Sequence, residues 1–342
     1  KEILITLLAI VLSIVFAGII LLIFGLNPFE IFKEIIMGSV GTGLRVKQTI
    51  VKAVPLIITS MGIIVAFKMK FWNIGAEGQI TMGALGASWV ALNLSPNLPQ
   101  PVMLLLMMVG AAVCGGIWAF IPAIFKAKLG TNETIFTLMM NYVAIKFVTY
   151  LQYGPWMDPA ANGFPKIAMF PDNAVMPKLG GVNIGWILAI LAAAFVYFFM
   201  NYTKKGYEIT VVGESIETAR YAGMNISRII VVAMLISGGL CGITGMIQAS
   251  AIEKTLVYGI ANGYGFTAII TAWLSKLNAG YAVAVCAVFA MLIQGGQYIQ
   301  IALGVPSAVS DIVQGLILFF VLGSEFFMRY RVHIGRNSKE VA

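Results

Sequence analysis

Apolar segments of about twenty residues, the length that crosses a bilayer as a helix, recur along almost the whole chain. They run from Ile3 to Phe24, Val51 to Phe67, Ile74 to Leu94, Val102 to Phe125, Thr134 to Tyr153, Ile184 to Tyr202 and Ile229 to Ser250. Three more follow: Gly263 to Leu274, Gly280 to Ile301 and Val309 to Met328. Gly263 to Leu274 is too short to span alone and reads as a half-helix. Hydrocarbon offers no partners to backbone N–H and C=O groups, so segments of this kind satisfy them internally as helices. Only 11% of the 342 residues are charged and 60% are hydrophobic, against about 25% charged in a soluble domain. The expectation is an all-α polytopic membrane protein with about ten transmembrane helices, some short or half-length, and a single transmembrane domain over 1–342. Ile3 to Phe24 is longer than the apolar core of a signal peptide and lacks a clear small-residue cleavage site, so it is expected to remain as the first helix.

The lysines and arginines orient this bundle. With the N-terminus inside, fourteen of the 22 fall on the inner side and seven on the outer, with Lys146 inside a helix. That bias predicts cytoplasmic N- and C-termini. The net charge of +8 is accounted for by these loops. No basic patch is interleaved with aromatics on a soluble face, so nucleic acid is not an expected partner. Cys114, Cys241 and Cys286 lie inside apolar runs and His333 is the one histidine, so no metal site is expected.

Against this background Gly206 to Arg228, reading GYEITVVGESIETARYAGMNISR, is anomalous. A charged side chain at the bilayer centre costs about 2.5–3.5 kcal/mol even on insertion scales, so the segment must lie at the membrane surface. Orientation puts it in the cytoplasm, and its helical character predicts an ordered docking element. On the outer side, residues 153–185 form the longest non-apolar stretch, rich in Pro, Gly and Asn. Asn27 to Thr49 contains PFEIFKEIIMGSV, with the pattern of a surface-lying amphipathic helix. Both read equally as solvated loops or as a landing surface for an extracytoplasmic partner.

No catalytic constellation is visible. A phosphate-cradling loop needs Gly-x-x-x-x-Gly-Lys-Ser/Thr, and the dipeptide Gly-Lys does not occur. If ATP is used, another polypeptide hydrolyses it. Ile236-Ser237-Gly238-Gly239-Leu240 lies in mid-helix, where Gly238 and Gly242 suit close helix packing. In Phe71-Trp72-Asn73-Ile74-Gly75-Ala76-Glu77-Gly78-Gln79, an ionisable residue flanked by glycines enters an apolar run. Glu77 is either part of a pathway or gate, or a buried carboxylate capping a neighbouring helix. Asn73, Gln79, Asn141, Phe266, Thr267 and Thr271 are further pathway candidates. Gln294, Gln297 and Gln300 share one helix face, as a neutral surface for a polar solute or as interhelical hydrogen bonding. Asp311 reads as a helix cap and Glu325–Arg329 as a surface pair.

Three blocks together resemble the membrane permease subunits of bacterial ABC importers, in the branch for branched-chain amino acids, ribose-type sugars and nucleosides. They are Asn73 to Gln79, Gly213 to Asn225, and Gly263-Tyr264-Gly265-Phe266-Thr267 followed by Ala268 to Leu274. Thr131-Asn132-Glu133-Thr134 with Leu138-Met139-Met140-Asn141-Tyr142 is similar to the nucleoside-uptake permeases in particular. Within the second block, Glu217 to Gly223 resembles the general importer pattern Glu-Ala-Ala-x-x-x-Gly, with Thr218 in place of an alanine.

The resemblance implies that Gly213, Glu214, Glu217, Ala219, Arg220, Ala222, Gly223 and Asn225 belong to a coupling loop gripped by an ABC ATPase subunit. It implies no cofactor in this chain, with ATP and Mg held by the partner ATPase. It implies a second permease subunit (a related paralogue or a copy of this chain) and an extracytoplasmic substrate-binding lipoprotein. The expected role is inward transport of a small polar solute across the bacterial cytoplasmic membrane by alternating access, with nucleosides first and simple sugars second. An ion-coupled secondary transporter is the competing class, disfavoured because only Glu77 and Lys146 are ionisable and deep in a helix.

Overall fold

The computed structural model describes residues 2–94 and 97–304, with isolated positions between 306 and 319. The expected span Val309 to Met328 lies largely outside the described residues, as do Asp311, Glu325 and Arg329. The regular secondary structure described is helical apart from a hairpin of two-residue strands, β1 (Lys178–Leu179) paired antiparallel with β2 (Val182–Asn183). Among the described residues six helices are long and apolar enough to cross a membrane, or seven if one bent pair counts as a span. The six are α3 (Gly43–Lys68), α5 (Gln100–Leu129), α6 (Glu133–Tyr153), α7 (Gly185–Tyr202), α10 (Ile226–Ile247, continued by a π-turn to Glu253) and α12 (Ala279–Leu303). The bent pair is α1 (Glu2–Ile23) with α2 (Pro28–Val40). The remaining helices are α4 (Ala76–Asn93), α8 (Lys204–Glu214), α9 (Ile216–Tyr221) and α11 (Tyr264–Leu274).

Internal contacts divide the chain into one unit of residues 1–46 with 291–342 and another of residues 47–290. In the first, Gly25 turns the chain at φ +73° and Asn27 caps α2, its Oδ1 accepting from Phe29 N at 3.1 Å, with Pro28 at the first helical position. These residues make the 117° bend between α1 and α2. The amphipathic stripe of α2 is used, because Ile31 and Ile35 pack with Leu21 and Ile299 in a buried cluster.

In the second unit α4 is walled in by protein, with thirteen of its eighteen residues buried. It packs against α5, α6 and α10. Its polarity is tolerable because Glu77, Gln79, Thr81 and Ser88 are buried in protein. Small residues set how closely these helices approach. Gly83 lies against the backbone of Gly242, and a β-carbon on Gly245 would strike the carbonyl oxygen of Ile80. Gly115 on α5 meets the carbonyl of Gly238 in the same way, the small-on-small contact that substitutes for a hydrophobic driving force between apolar helices. Gly245→Leu is therefore expected to cost about 3 kcal/mol through overpacking, measured as a lowered melting temperature of the purified protein. Gly116→Ala, with 3.5 Å of clearance to Leu235 O, is expected to be neutral or slightly stabilising.

Residues 154–184 are ordered rather than slack. Ile167, Phe170 and Met176 are buried, Phe170 N donates to Lys254 O at 2.9 Å and Ser250 Oγ to Ala174 O at 2.6 Å. They cover the end of the unit where α10 finishes and α5 begins. Lys68, the Lys126–Glu133 ion pair (2.7 Å) and α8–α9 mark the opposite end.

Candidate functional site

The polar segment after α7 folds as two short helices joined at Ser215. Thr203 caps α8, its Oγ1 accepting from Gly206 N at 3.1 Å, and Lys205 pairs with Glu208 at 2.6 Å. Ile209, Val212 and Gly213 turn inward. Gly213 is pressed against the carbonyl oxygen of Lys68, the last residue of α3, and no larger side chain fits there. Ser215 is extended (φ −153°) and caps α9, its Oγ accepting from Thr218 N at 3.2 Å.

Of the six residues of α9 one side chain is buried, Ala219. Glu214, Glu217, Arg220, Ala222 and Gly223 are exposed. Gly223 reverses the chain at φ +71°, and Asn225 caps α10, its Oδ1 accepting from Arg228 N at 3.0 Å. Gly213 and Ala219 thus anchor the loop, Asn225 starts the next helix, and the others are displayed. Tyr221, absent from the sequence expectations, is 97% exposed, with Ile216 beside it at 52%. Its position inside the Glu217–Gly223 motif was the available signal.

The second constellation lies where α3 breaks into α4. Asn73 Oδ1 accepts from Gly75 N (3.0 Å) and Gln79 Nε2 (3.0 Å), while its Nδ2 donates to Gln79 Oε1 (3.1 Å) and Ser237 Oγ (3.1 Å). From α6, Asn141 Nδ2 donates to Ile74 O (2.8 Å) and its Oδ1 accepts from Gly78 N (2.8 Å), while Thr137 Oγ1 accepts from Ile74 N (3.1 Å). Asn73, Gln79 and Asn141 are buried; Asn73 and Asn141 satisfy backbone groups that the helix break would otherwise leave unpaired, and Gln79 holds Asn73 in place.

Glu77, the next charged position, is also buried. Its Oε1 accepts from Gly263 N and its Oε2 from Gly265 N, both at 2.8 Å. This is a carboxylate capping a neighbouring helix: it closes the N-terminus of α11, where orphan N–H groups and the helix dipole favour a negative charge. At the other end of α11, Trp273 sits 5.2 Å from Trp72 and 6.1 Å from Phe67, ring centre to ring centre. Residues 67–77 therefore grip α11 at both ends, and Gly213 rests on the same segment at Lys68.

Phe266 is exposed and Thr267 half-buried on the first turn of α11, and Thr267 Oγ1 donates to Gly263 O at 3.1 Å. Thr271 is buried and bonded to Ser60 at 2.6 Å. Gln294 and Gln297 belong to the other unit, in which Gln294 is buried and Gln297 exposed. Lys146 lies on an exposed face of α6. Ser60, Thr137 and Ser237 are structural partners that the sequence did not single out, since hydroxyls inside apolar helices carry no distinguishing pattern.

The chain belongs to the family described as branched-chain amino acid transport system / permease component, whose profile matches residues 45–322. It is a multi-pass membrane permease of the ABC transporter class. It is similar to the glucose ABC transporter permease protein TsgB13 of Haloferax volcanii, with 34% identity over 340 residues, 96% of this chain and 89% of the relative. It is similar also to the guanosine ABC transporter permease protein NupP of Bacillus subtilis, at 32% identity, covering 95% and 94%. The nucleoside ABC transporter permease protein NupB of Lactococcus lactis matches at 29%, covering 94% and 91%.

Proposed function

We propose that the chain is the transmembrane subunit of an ATP-driven importer that moves nucleosides inward by alternating access. The observation that carries this reading is mechanical. The exposed α9 hangs from Gly213, Gly213 bears on Lys68, and the residues after Lys68 hold the half-helix α11 at both ends. A pull on α9 by an ATPase subunit is thereby delivered to α11 over one short segment. Glu214, Glu217, Arg220, Ala222, Gly223 and Tyr221 meet the ATPase, which holds ATP and Mg. Asn73, Glu77, Gln79, Asn141 and Thr271 keep the moving parts in register, Phe266 and Thr267 offer a face to the solute, and in the other unit Gln297 is the exposed pathway residue beside the buried Gln294. In this reading the chain crosses the bacterial cytoplasmic membrane ten times with both termini inside. It pairs with a second, related permease and receives solute from an extracytoplasmic binding lipoprotein.

The nucleoside assignment draws support from the names of two of the three relatives and from the Thr131–Tyr142 block. The glucose permease relative favours a second reading, a simple sugar. Co-expression with an ABC ATPase, a second permease and a binding protein, followed by uptake of labelled guanosine, tests both. Unlabelled adenosine and uridine are expected to compete and glucose is not. Competition by glucose alone would transfer the assignment to sugars. Uptake that persists with an ATPase inactivated in its nucleotide site would overturn the importer reading.

A further inference from the structure

The end of the bundle opposite α9 contains a cavity that the coupling pathway does not use. It encloses about 300 Å³ between the start of α3, the π-turn Gln248–Glu253 and the loop before α11. Its polar lining comes from Lys52, Gln248, Glu253, Tyr258, Asn262 and Tyr264, and the rest is aliphatic, in nearly equal share, with Val257 and Ile260 among the contributors. The backbone around it is held in uncommon conformations. A π-turn is rare and concentrates at functional sites, and Lys254 and Asn262 carry φ of +55° and +48°. Strain of this kind persists only where the surroundings over-determine it.

The surroundings do so here. Tyr258 N donates to Gln152 Oε1 at 3.0 Å, Thr255 Oγ1 to Ile167 O at 3.0 Å, and Glu77 fixes Gly263 from below. Gln248 and Tyr264 are hydrogen-bonded to each other, so both are already oriented. The cavity is thus preformed, and it is small for a ligand site.

Its chemistry selects a class of ligand. Amide, phenol, amine and carboxylate groups can meet hydroxyls as donors and acceptors, while the aliphatic share suits C–H faces. The single lysine and single glutamate balance in charge, which disfavours an anionic ligand such as a phosphate ester. A neutral polyhydroxylated ring presents both surfaces. We infer that this cavity binds the sugar ring of the incoming solute as a way station between the outer face and the Glu77–α11 junction. The inference rests on the importer reading and adds a site and a moiety to it.

The test reads occupancy directly. Val257→Cys, made with Cys114→Ala, is labelled from outside by a membrane-impermeant maleimide in the assembled complex. Ribose or guanosine at millimolar concentration is expected to slow labelling about fivefold at four-fifths occupancy, and guanosine monophosphate is not. Lys178→Cys, on exposed β1, is expected to label at one rate throughout. Ile252→Cys, at the other rim, is a second probe if the first variant does not assemble. Equal labelling with and without ribose and guanosine, or equal protection by the monophosphate, overturns the cavity assignment. Wild-type guanosine uptake is measured beside it. Uptake without protection rejects the cavity and leaves the importer reading intact. Protection without uptake does the reverse.

Discussion

Tyr221→Ala is expected to abolish most transport while leaving the permease as stable as before. The side chain is 97% exposed on a six-residue helix, so its removal opens no cavity and breaks no internal contact. An exposed tyrosine on a rigid, capped element at the polar end of a membrane protein suits a protein partner. At interfaces such aromatic anchors carry about 2 kcal/mol or more each, equivalent to a loss of about thirtyfold in affinity. The measurements are co-purification of the ATPase, solute-stimulated ATP hydrolysis and uptake, with thermal unfolding in detergent as the control. Glu217→Arg combined with Gly223→Trp is expected to give the same loss by repulsion and by strain at a left-handed turn. If Tyr221→Ala retains full uptake and a bound ATPase, α9 is not the coupling contact.

The second large effect is expected at Glu77. Glu77→Leu removes two charge-assisted hydrogen bonds, to Gly263 N and Gly265 N, and leaves both donors facing an apolar side chain. Hydrogen bonds to charged groups contribute about 1.5–3 kcal/mol each, so a destabilisation of about 3–6 kcal/mol is expected, enough to release the N-terminus of α11. Glu77→Gln keeps one carbonyl oxygen and should fall between. Purified protein is expected to show a melting temperature ordered wild type, Glu77→Gln, Glu77→Leu. Uptake should fall in the same order. A Glu77→Leu protein that melts with the wild type but does not transport would instead make Glu77 part of the pathway.

Much of this was legible in the chain because bilayer chemistry leaves few choices. The apolar runs gave most of the described helices to within about a turn, but α3 begins at Gly43, more than two turns before the run that starts at Val51, and PFEIFKEIIMGSV gave α2 with its buried Ile31 and Ile35. The polar segment 206–228 announced itself by what hydrocarbon cannot hold. Less legible was how Asn73, Gln79 and Asn141 would be used. Their identity shows polar capacity but not the partner, and two of the partnerships span long stretches of sequence, Asn73 with Ser237 on α10 and Asn141 on α6 with Ile74 and Gly78. Glu77 had two readings for the same reason, since only the fold brings Gly263 to it from 186 positions away. The cavity at Lys52 and Glu253 was hidden because these residues sit at the ends of apolar runs, where lysine and glutamate look like ordinary boundary charges.

The brevity of α11 has a consequence for how the protein is made. Eleven residues reach about 16 Å, roughly half the hydrocarbon thickness, and the loop before them returns into the bundle. An emerging segment of that length has no stable place in lipid by its own hydrophobicity. Its receiving groups, Glu77, Trp72 and Phe67, were synthesised nearly two hundred residues earlier. The ribosome therefore delivers α11 to a seat that already exists, and a chain whose α4 has not yet settled has nowhere to put it.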